Sequence, residues 1–263
     1  MEEREGFIKD SKAAIKGVFN GVFGSVVYEI LIVMLISFIL TFAVSAKNPG
    51  ASQSELQTLV DAAYDSFPFS ILISCLSSLV TLVVFVIILK KETFMRLLKN
   101  AFSLDTLKYG AITAACLMAF SIVYNNLAII LFELEDGGNA NQEAVTVLVK
   151  SNPFLGLLAV VILAPVVEEL TFRYCLFGEV SKKNKVFAYV ISGVVFMAMH
   201  SIASISEAGG LNKAFLQELI YLPPYLFSGL ALCYVYDKTS NIGSSVMAHM
   251  LNNLVSFLVI VFL

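Results

Sequence analysis

Apolar stretches of about twenty residues recur along the whole length of this 263-residue chain, and they constrain its fold more than any motif does. About twenty helical residues cross the ~30 Å hydrocarbon core of a bilayer, where helices keep every backbone hydrogen bond within the segment. Spans are expected at about residues 22–46, 68–89, 107–132, 153–177, 185–204, 214–236 and 242–263. The count is about seven, with an error of one. Residues 133–153 are expected to add a short interfacial helix, and Pro223-Pro224 must interrupt the hydrogen-bond ladder of the sixth span. Hydrophobic residues make up 58% of the chain and charged ones 14%, against roughly 45–50% and 25% in a soluble domain. A large soluble core would need amphipathic outer helices to cover it, and the pattern offers none. The first segment is too long for a cleavable signal and follows a tail carrying Arg4, Lys9, Lys12 and Lys16, so it is expected to remain as a span. The fold class is therefore all-α, a polytopic transmembrane helical bundle of about seven spans.

Orientation follows from lysine and arginine in short loops, because these stay on the cytoplasmic side. The tail, the loop with Lys90, Lys91, Arg96, Lys99 and Lys108, and the loop with Lys182, Lys183 and Lys185 should face inward. The alternate loops hold Glu55, Asp61 and Asp65, then Glu133, Glu135, Asp136 and Glu143, with Lys47, Lys150 and Lys213 as their basic residues. The expected protein is a multi-pass protein of the cell membrane with a cytoplasmic amino terminus.

Several function classes drop out. Cys75, Cys116, Cys175 and Cys233 lie in or beside apolar spans at spacings that suit neither disulfides nor zinc, and are expected to be small buried hydrophobes. Cys175 alone is close enough to Arg173 to line the same cavity. No phosphate loop, dinucleotide fingerprint or basic nucleic-acid patch is present. Gly17, Gly21 and Gly24 suit close helix packing. The simplest organisation is one membrane domain over 1–263. Residues 1–152 would supply the tail and three peripheral spans, and 153–263 a four-span core.

Chemistry concentrates in that core. Glu168-Glu169-Leu170-Thr171-Phe172-Arg173 sets three ionisable residues into the end of an apolar run, and charge at membrane depth is by default functional. Adjacent glutamates on a helix diverge by about 100°, so Glu168 and Glu169 are not expected to face the same neighbour. Glu169 and Arg173 stand at i and i+4 and can pair, which leaves Glu168 free to face a cavity. The chain's two histidines, His200 and His249, sit on two further apolar segments. Glu168 is 14 residues before Lys182, His200 is 17 after Lys183 and His249 is 11 after Lys238, which at 1.5 Å per residue gives depths of roughly 21, 25 and 17 Å. Ordinary tilt absorbs that spread, so one site can gather all three. Phe196 lies one turn from His200 and can pack on the imidazole or on a substrate. Asn252 and Asn253 follow His249 by three and four residues. An amide in a dry cavity can stabilise an oxyanion or bond a neighbouring helix. The interhelical role suits Asn252 rather than Asn253.

The order EELTFR, FMAMH, HMLNN resembles the EExxxR, FxxxH and HxxxN motifs of the CAAX-protease and bacteriocin-processing (CPBP, or Abi) family of intramembrane glutamic endopeptidases, over roughly residues 153–257. The resemblance implies that Glu168 and His200 activate a hydrolytic water and that His249 and Asn253 stabilise the oxyanion, while Glu169 and Arg173 hold the motif helix. It also implies a helical bundle around a conical cavity open to the cytoplasm and to lipid. The first three spans carry no motif of that family.

The expected function is intramembrane hydrolysis of peptide bonds by a glutamate-activated water, with no covalent intermediate. No cofactor and no metal are expected. Expected partners are a membrane-associated peptide or protein substrate and membrane lipids, with no nucleic acid, and self-association into a homo-oligomer stays open. The nearest rival is a metal-dependent protease with Glu168, His200 and His249 as ligands, although no HExxH pair is present. A non-catalytic scaffold or bacteriocin self-immunity protein would not need Glu168, His200, His249 and Asn253 all intact. A transporter would be expected to show paired broken helices in two similar halves.

Overall fold

The computed structural model describes residues 24–65, 69–88, 103–134 and 139–263, and every regular element among them is helical. In order these are α1 (Gly24–Lys47), α2 (Gln53–Asp65), α3 (Phe69–Ile88), α4 (Leu104–Phe132), α5 (Ala140–Ser151), the composite α6 (Pro153–Val180), α7 (Lys185–Glu207), α8 (Lys213–Ile220), α9 (Leu222–Thr239) and α10 (Ile242–Phe262). Arg4, Lys9, Lys12, Lys16, Gly17, Gly21, Lys90, Lys91, Arg96, Lys99, Glu135 and Asp136 lie outside the described residues.

Helices α4 to α8 and α10 begin where the sequence supplies an acceptor for a first-turn amide. Ser103, Asn139, Asn152, Asn184, Asn212 and Asn241 each take a backbone N–H on their side chain at the start of a helix. Hydrocarbon offers no water to those amides, so a polar cap decides where a span starts. Among the described residues five helices are long and apolar enough to cross a membrane: Leu104–Phe132, Pro153–Val180, Lys185–Ile202, Lys213–Thr239 and Ile242–Phe262. Shorter apolar runs at Met34–Lys47 and Ile71–Ile87 occupy the first two expected spans. The chain is a multi-pass membrane protein of all-α architecture. Large apolar side chains such as Phe42, Ile87, Ile130 and Leu131 point outward, a lipid-facing pattern that water would penalise. The ladder of the sixth span breaks at Tyr221, between α8 and α9, with the prolines in the first turn of α9, where their missing N–H costs nothing.

Around the site, Leu117 of α4, Phe172 of α6, Phe196 of α7, Leu232 of α9 and Ala248 of α10 form one buried cluster. Glycine lets α7 and α9 touch backbone to backbone, since a Cβ on Gly229 would lie 2.8 Å from the Gly193 Cα. Near their amino termini α4 and α10 are joined by Asn241 donating to Thr106 Oγ1 at 2.8 Å. Cys75, Cys175 and Cys233 are buried, but Cys116 is exposed. It lies off the α4 face that carries the buried Thr106, Gly110, Ala114 and Leu117, so the expectation of four buried thiols is corrected there. Cys175 packs with Phe85, Leu170 and Ile242 in an apolar cluster rather than beside Arg173.

Candidate active site

The helix that carries the glutamates is not a plain α-helix. α6 is α-helical over Pro153–Gly156, widens to a π-helix over Leu157–Leu163, returns to α over Ala164–Glu169, widens again over Leu170–Phe177 and closes with Gly178–Val180. Pro165 accounts for the first widening. It has no N–H, and its ring crowds the carbonyl four residues back. The Ala164 amide therefore reaches to Ala159 O, five residues back. Val160 O then lacks both helical donors, because Ala164 bonds elsewhere and Pro165 has none to give. Asn253 Nδ2, on α10, donates to that carbonyl at 3.0 Å. Asn252 Nδ2 donates to Asn253 Oδ1 at 3.3 Å. The interhelical bond expected of Asn252 is thus made by Asn253, because the acceptor exists only where the helix is widened. The second amide hydrogen of Asn253 is not used in that bond.

Beyond the α-turn, Glu169 and Arg173 pair at 3.1 Å between Oε2 and Nε, and neither side chain is exposed. Arg173 Nη2 also donates to Gly229 O at 3.3 Å, and its guanidinium lies 4.4 Å from the centre of the Phe196 ring. The close approach of α7 and α9 at Gly193 and Gly229 places that carbonyl near the arginine.

His249 Nδ1 donates to Glu169 Oε1 at 2.9 Å. His200 Nδ1 donates to Phe196 O at 2.9 Å, one turn back in α7. In each neutral ring, a proton on Nδ1 leaves Nε2 as a lone pair. Both Nε2 atoms face Glu168 Oε2, at 3.6 Å from His200 and 3.9 Å from His249. That oxygen has no hydrogen-bond partner among the described residues, although it is itself buried. Exposure is graded across these residues: the side chains of Glu168 and His200 are 25% and 21% exposed, that of His249 8%.

The two glutamates therefore do share a neighbour, contrary to the expectation from their angular separation. The imidazole of His249 has nitrogens on two edges, and it stands before the groove between the two side chains. Glu169 meets one edge and Glu168 approaches the other. Phe196 is buried and packs on imidazole rather than on open space, 4.4 Å from the ring centre of His200 and 5.9 Å from that of His249. Two contributors carried no sequence signal for this site. Pro165 is one. The other is Tyr225 of α9, whose ring stacks on His200.

Glu168, His200 and His249 are the residues weighed as metal ligands from the sequence. Among the described residues no group of three or more histidine, cysteine, aspartate or glutamate side chains is arranged to hold a metal ion.

Residues 150–255 match the family model described as Type II CAAX prenyl endopeptidase Rce1-like. The UPF0177 protein YxdF of Lactococcus lactis is 33% identical over 93 residues, which cover 35% of this chain and 43% of that protein. A Bacillus subtilis protein named "Putative membrane peptidase YdiL" is 27% identical over 114 residues, covering 43% of this chain and 40% of that one. Each alignment spans less than half of the relative. No solved structure gives a significant match. The family resemblance carried by the three motifs holds over the segment that bears them.

Proposed function

We propose that this protein is an intramembrane endopeptidase that hydrolyses peptide bonds of membrane-associated proteins or peptides, with water activated by Glu168. One observation carries the reading. A carboxylate oxygen without a hydrogen-bond partner stands 3.6 and 3.9 Å from two Nε2 atoms whose rings are already fixed at Nδ1. These separations exceed a direct hydrogen bond and suit a small molecule shared between the three groups. A water there donates one hydrogen to Glu168 and one to His200 Nε2. Its oxygen attacks the peptide carbonyl carbon while Glu168 accepts the proton. As the tetrahedral intermediate collapses, the C–N bond breaks and Glu168 returns the proton to the leaving amine nitrogen. No covalent enzyme intermediate forms.

The developing oxyanion needs donors in a dry site. The free amide hydrogen of Asn253 is one. His249 is the second once its ring carries both protons, and the Glu169 carboxylate at Nδ1 is the counter-charge that such a ring requires. Glu169, at the end of the α-helical turn, ties α6 to α10 through His249, and Arg173, in the widened segment, ties it to α9 through Gly229 O. The match to an endopeptidase family over the same segment supports the reaction class. The basic loops support a cytoplasmic amino terminus.

The test is comparative peptidomics of cells carrying the wild-type protein or Glu168→Gln, with the variant's abundance and detergent melting temperature as controls. The substitution keeps shape and removes the base, so Glu168-dependent peptides should vanish while abundance holds. A purified Glu168→Gln protein that cleaves the same peptides at near the wild-type rate defeats the glutamate mechanism.

A further inference from the structure

His200 has a second fastening that lies outside the three motifs. Its ring and that of Tyr225 lie 5.2 Å apart between centroids, with planes 24° apart. The far end of Tyr225 is fixed with equal care. Its hydroxyl accepts from Asn139 Nδ2 and Asn141 Nδ2, each at 3.0 Å, and donates to Asn139 Oδ1 at 3.2 Å. A phenol has one hydrogen and two lone pairs, so these three bonds fill its capacity. Asn139 is itself anchored, since the same Oδ1 caps α5 by accepting from Gln142 N at 2.8 Å. The next amide, Ala140 N, donates to Glu218 Oε1 of α8 at 3.0 Å. Asn139 and Glu218 are both buried.

The chain of contact runs from the amino terminus of α5, through the Tyr225 hydroxyl and ring, to the imidazole of His200. What His200 lacks explains why this matters. One hydrogen bond, from Nδ1 to its own helix, and the Phe196 ring beside it do not by themselves stop a part-exposed imidazole from tilting out of its plane, losing that bond and exchanging its tautomer. With the ring tilted, Nε2 no longer faces Glu168.

We propose that Tyr225 is a positioning residue for His200, holding the ring plane and the Nδ1–H tautomer that aim Nε2 at Glu168, and that Asn139 and Asn141 act through it. The inference rests on the catalytic role proposed for His200, and it adds a dependence on α5, outside the residues of the three motifs. Stacking of this geometry shifts an equilibrium between ring states by about two- to tenfold. A catalytic group displaced by about 1 Å costs up to ~10²-fold in rate.

The chain has two histidines, so nitrogen NMR of protein labelled in histidine alone, in detergent micelles, resolves both rings. His249 is identified by its absence from a His249→Gln sample. The wild type should show one His200 tautomer, protonated at Nδ1. Tyr225→Leu should move His200 toward a mixture by about two- to tenfold and leave the Nδ1 proton of His249 in place. Tyr225→Phe removes one oxygen, keeps the fold and gives a smaller shift. Asn139→Ala with Asn141→Ala should match Tyr225→Phe and add nothing when combined with it, because the three residues act along one path. Toward a peptide whose release depends on Glu168, Tyr225→Leu should lower kcat about tenfold or more with KM nearly unchanged. A single unaltered His200 tautomer in Tyr225→Leu overturns the proposal, as does full additivity of the asparagine and tyrosine changes. If Glu168→Gln leaves the peptides unchanged, the protease reading is lost, and the His200 tautomer still decides whether Tyr225 sets that ring.

Discussion

Arg173→Met is the perturbation that most directly tests the electrostatics of this site. The guanidinium is fully buried, pairs with a fully buried Glu169 at 3.1 Å, donates to Gly229 O and covers Phe196. Methionine keeps most of the volume, so the loss is chiefly the charge. Glu169 then retains His249 at 2.9 Å and a side-chain hydrogen bond from Ser245. Breaking a buried pair by removing one partner costs about 3–5 kcal/mol. With a slope of about 2–4 °C per kcal/mol for a chain of 150–250 residues, melting in detergent should fall by about 6–20 °C, and membrane abundance should fall with it. Removing both charges is a different experiment. Replacing a buried pair by neutral groups of similar volume is often close to neutral, so Glu169→Gln combined with Arg173→Met should recover most of the loss. The assay is thermal unfolding of wild type, both single variants and the double variant, read as a cycle. An Arg173→Met protein as stable as wild type, or a double variant no better than Arg173→Met alone, refutes the reasoning.

Three further outcomes are expected. Gly229→Ala would put a Cβ 2.8 Å from Gly193 Cα and 3.0 Å from Gly193 O, so α7 and α9 must separate, at about 1–3 kcal/mol in detergent melting; an unchanged melting temperature would show that the helices yield freely. Elemental analysis of purified protein should find no stoichiometric zinc and activity should survive prolonged chelation, whereas one zinc per chain, with activity lost on its removal and regained on its return, makes Glu168, His200 and His249 ligands. In a background without native cysteines, a cysteine at Lys183 should react with an impermeant thiol reagent from the cytoplasmic side and one at Gly210 from the opposite side, and the reverse pattern overturns the orientation.

What the sequence determined by itself was the solvent and the inventory. Runs of apolar residues long enough to cross a bilayer, interrupted by serine and asparagine at the points where helices start, fix a helical membrane protein, because lipid admits only helices and closed barrels and barrel strands alternate apolar with polar residues. Three ionisable residues in α6 and a histidine in each of α7 and α10 marked the candidate site, since charge at depth needs a reason. The i, i+4 spacing of Glu169 and Arg173 was enough to pair them. Tertiary structure decided the rest, because it depends on what faces what across helices. That Val160 O is open to Asn253 follows from Pro165 only once the turn is seen to widen and α10 is seen beside it. That both glutamates reach His249 depends on where an imidazole from α10 stands relative to a groove on α6, which an angle along one helix does not contain. Tyr225 lies 25 residues from His200 in sequence and touches it because Gly193 and Gly229 let α7 and α9 pack without side chains between them. Periodicity reports one helix at a time, and a site made of four helices is set by the contacts between them.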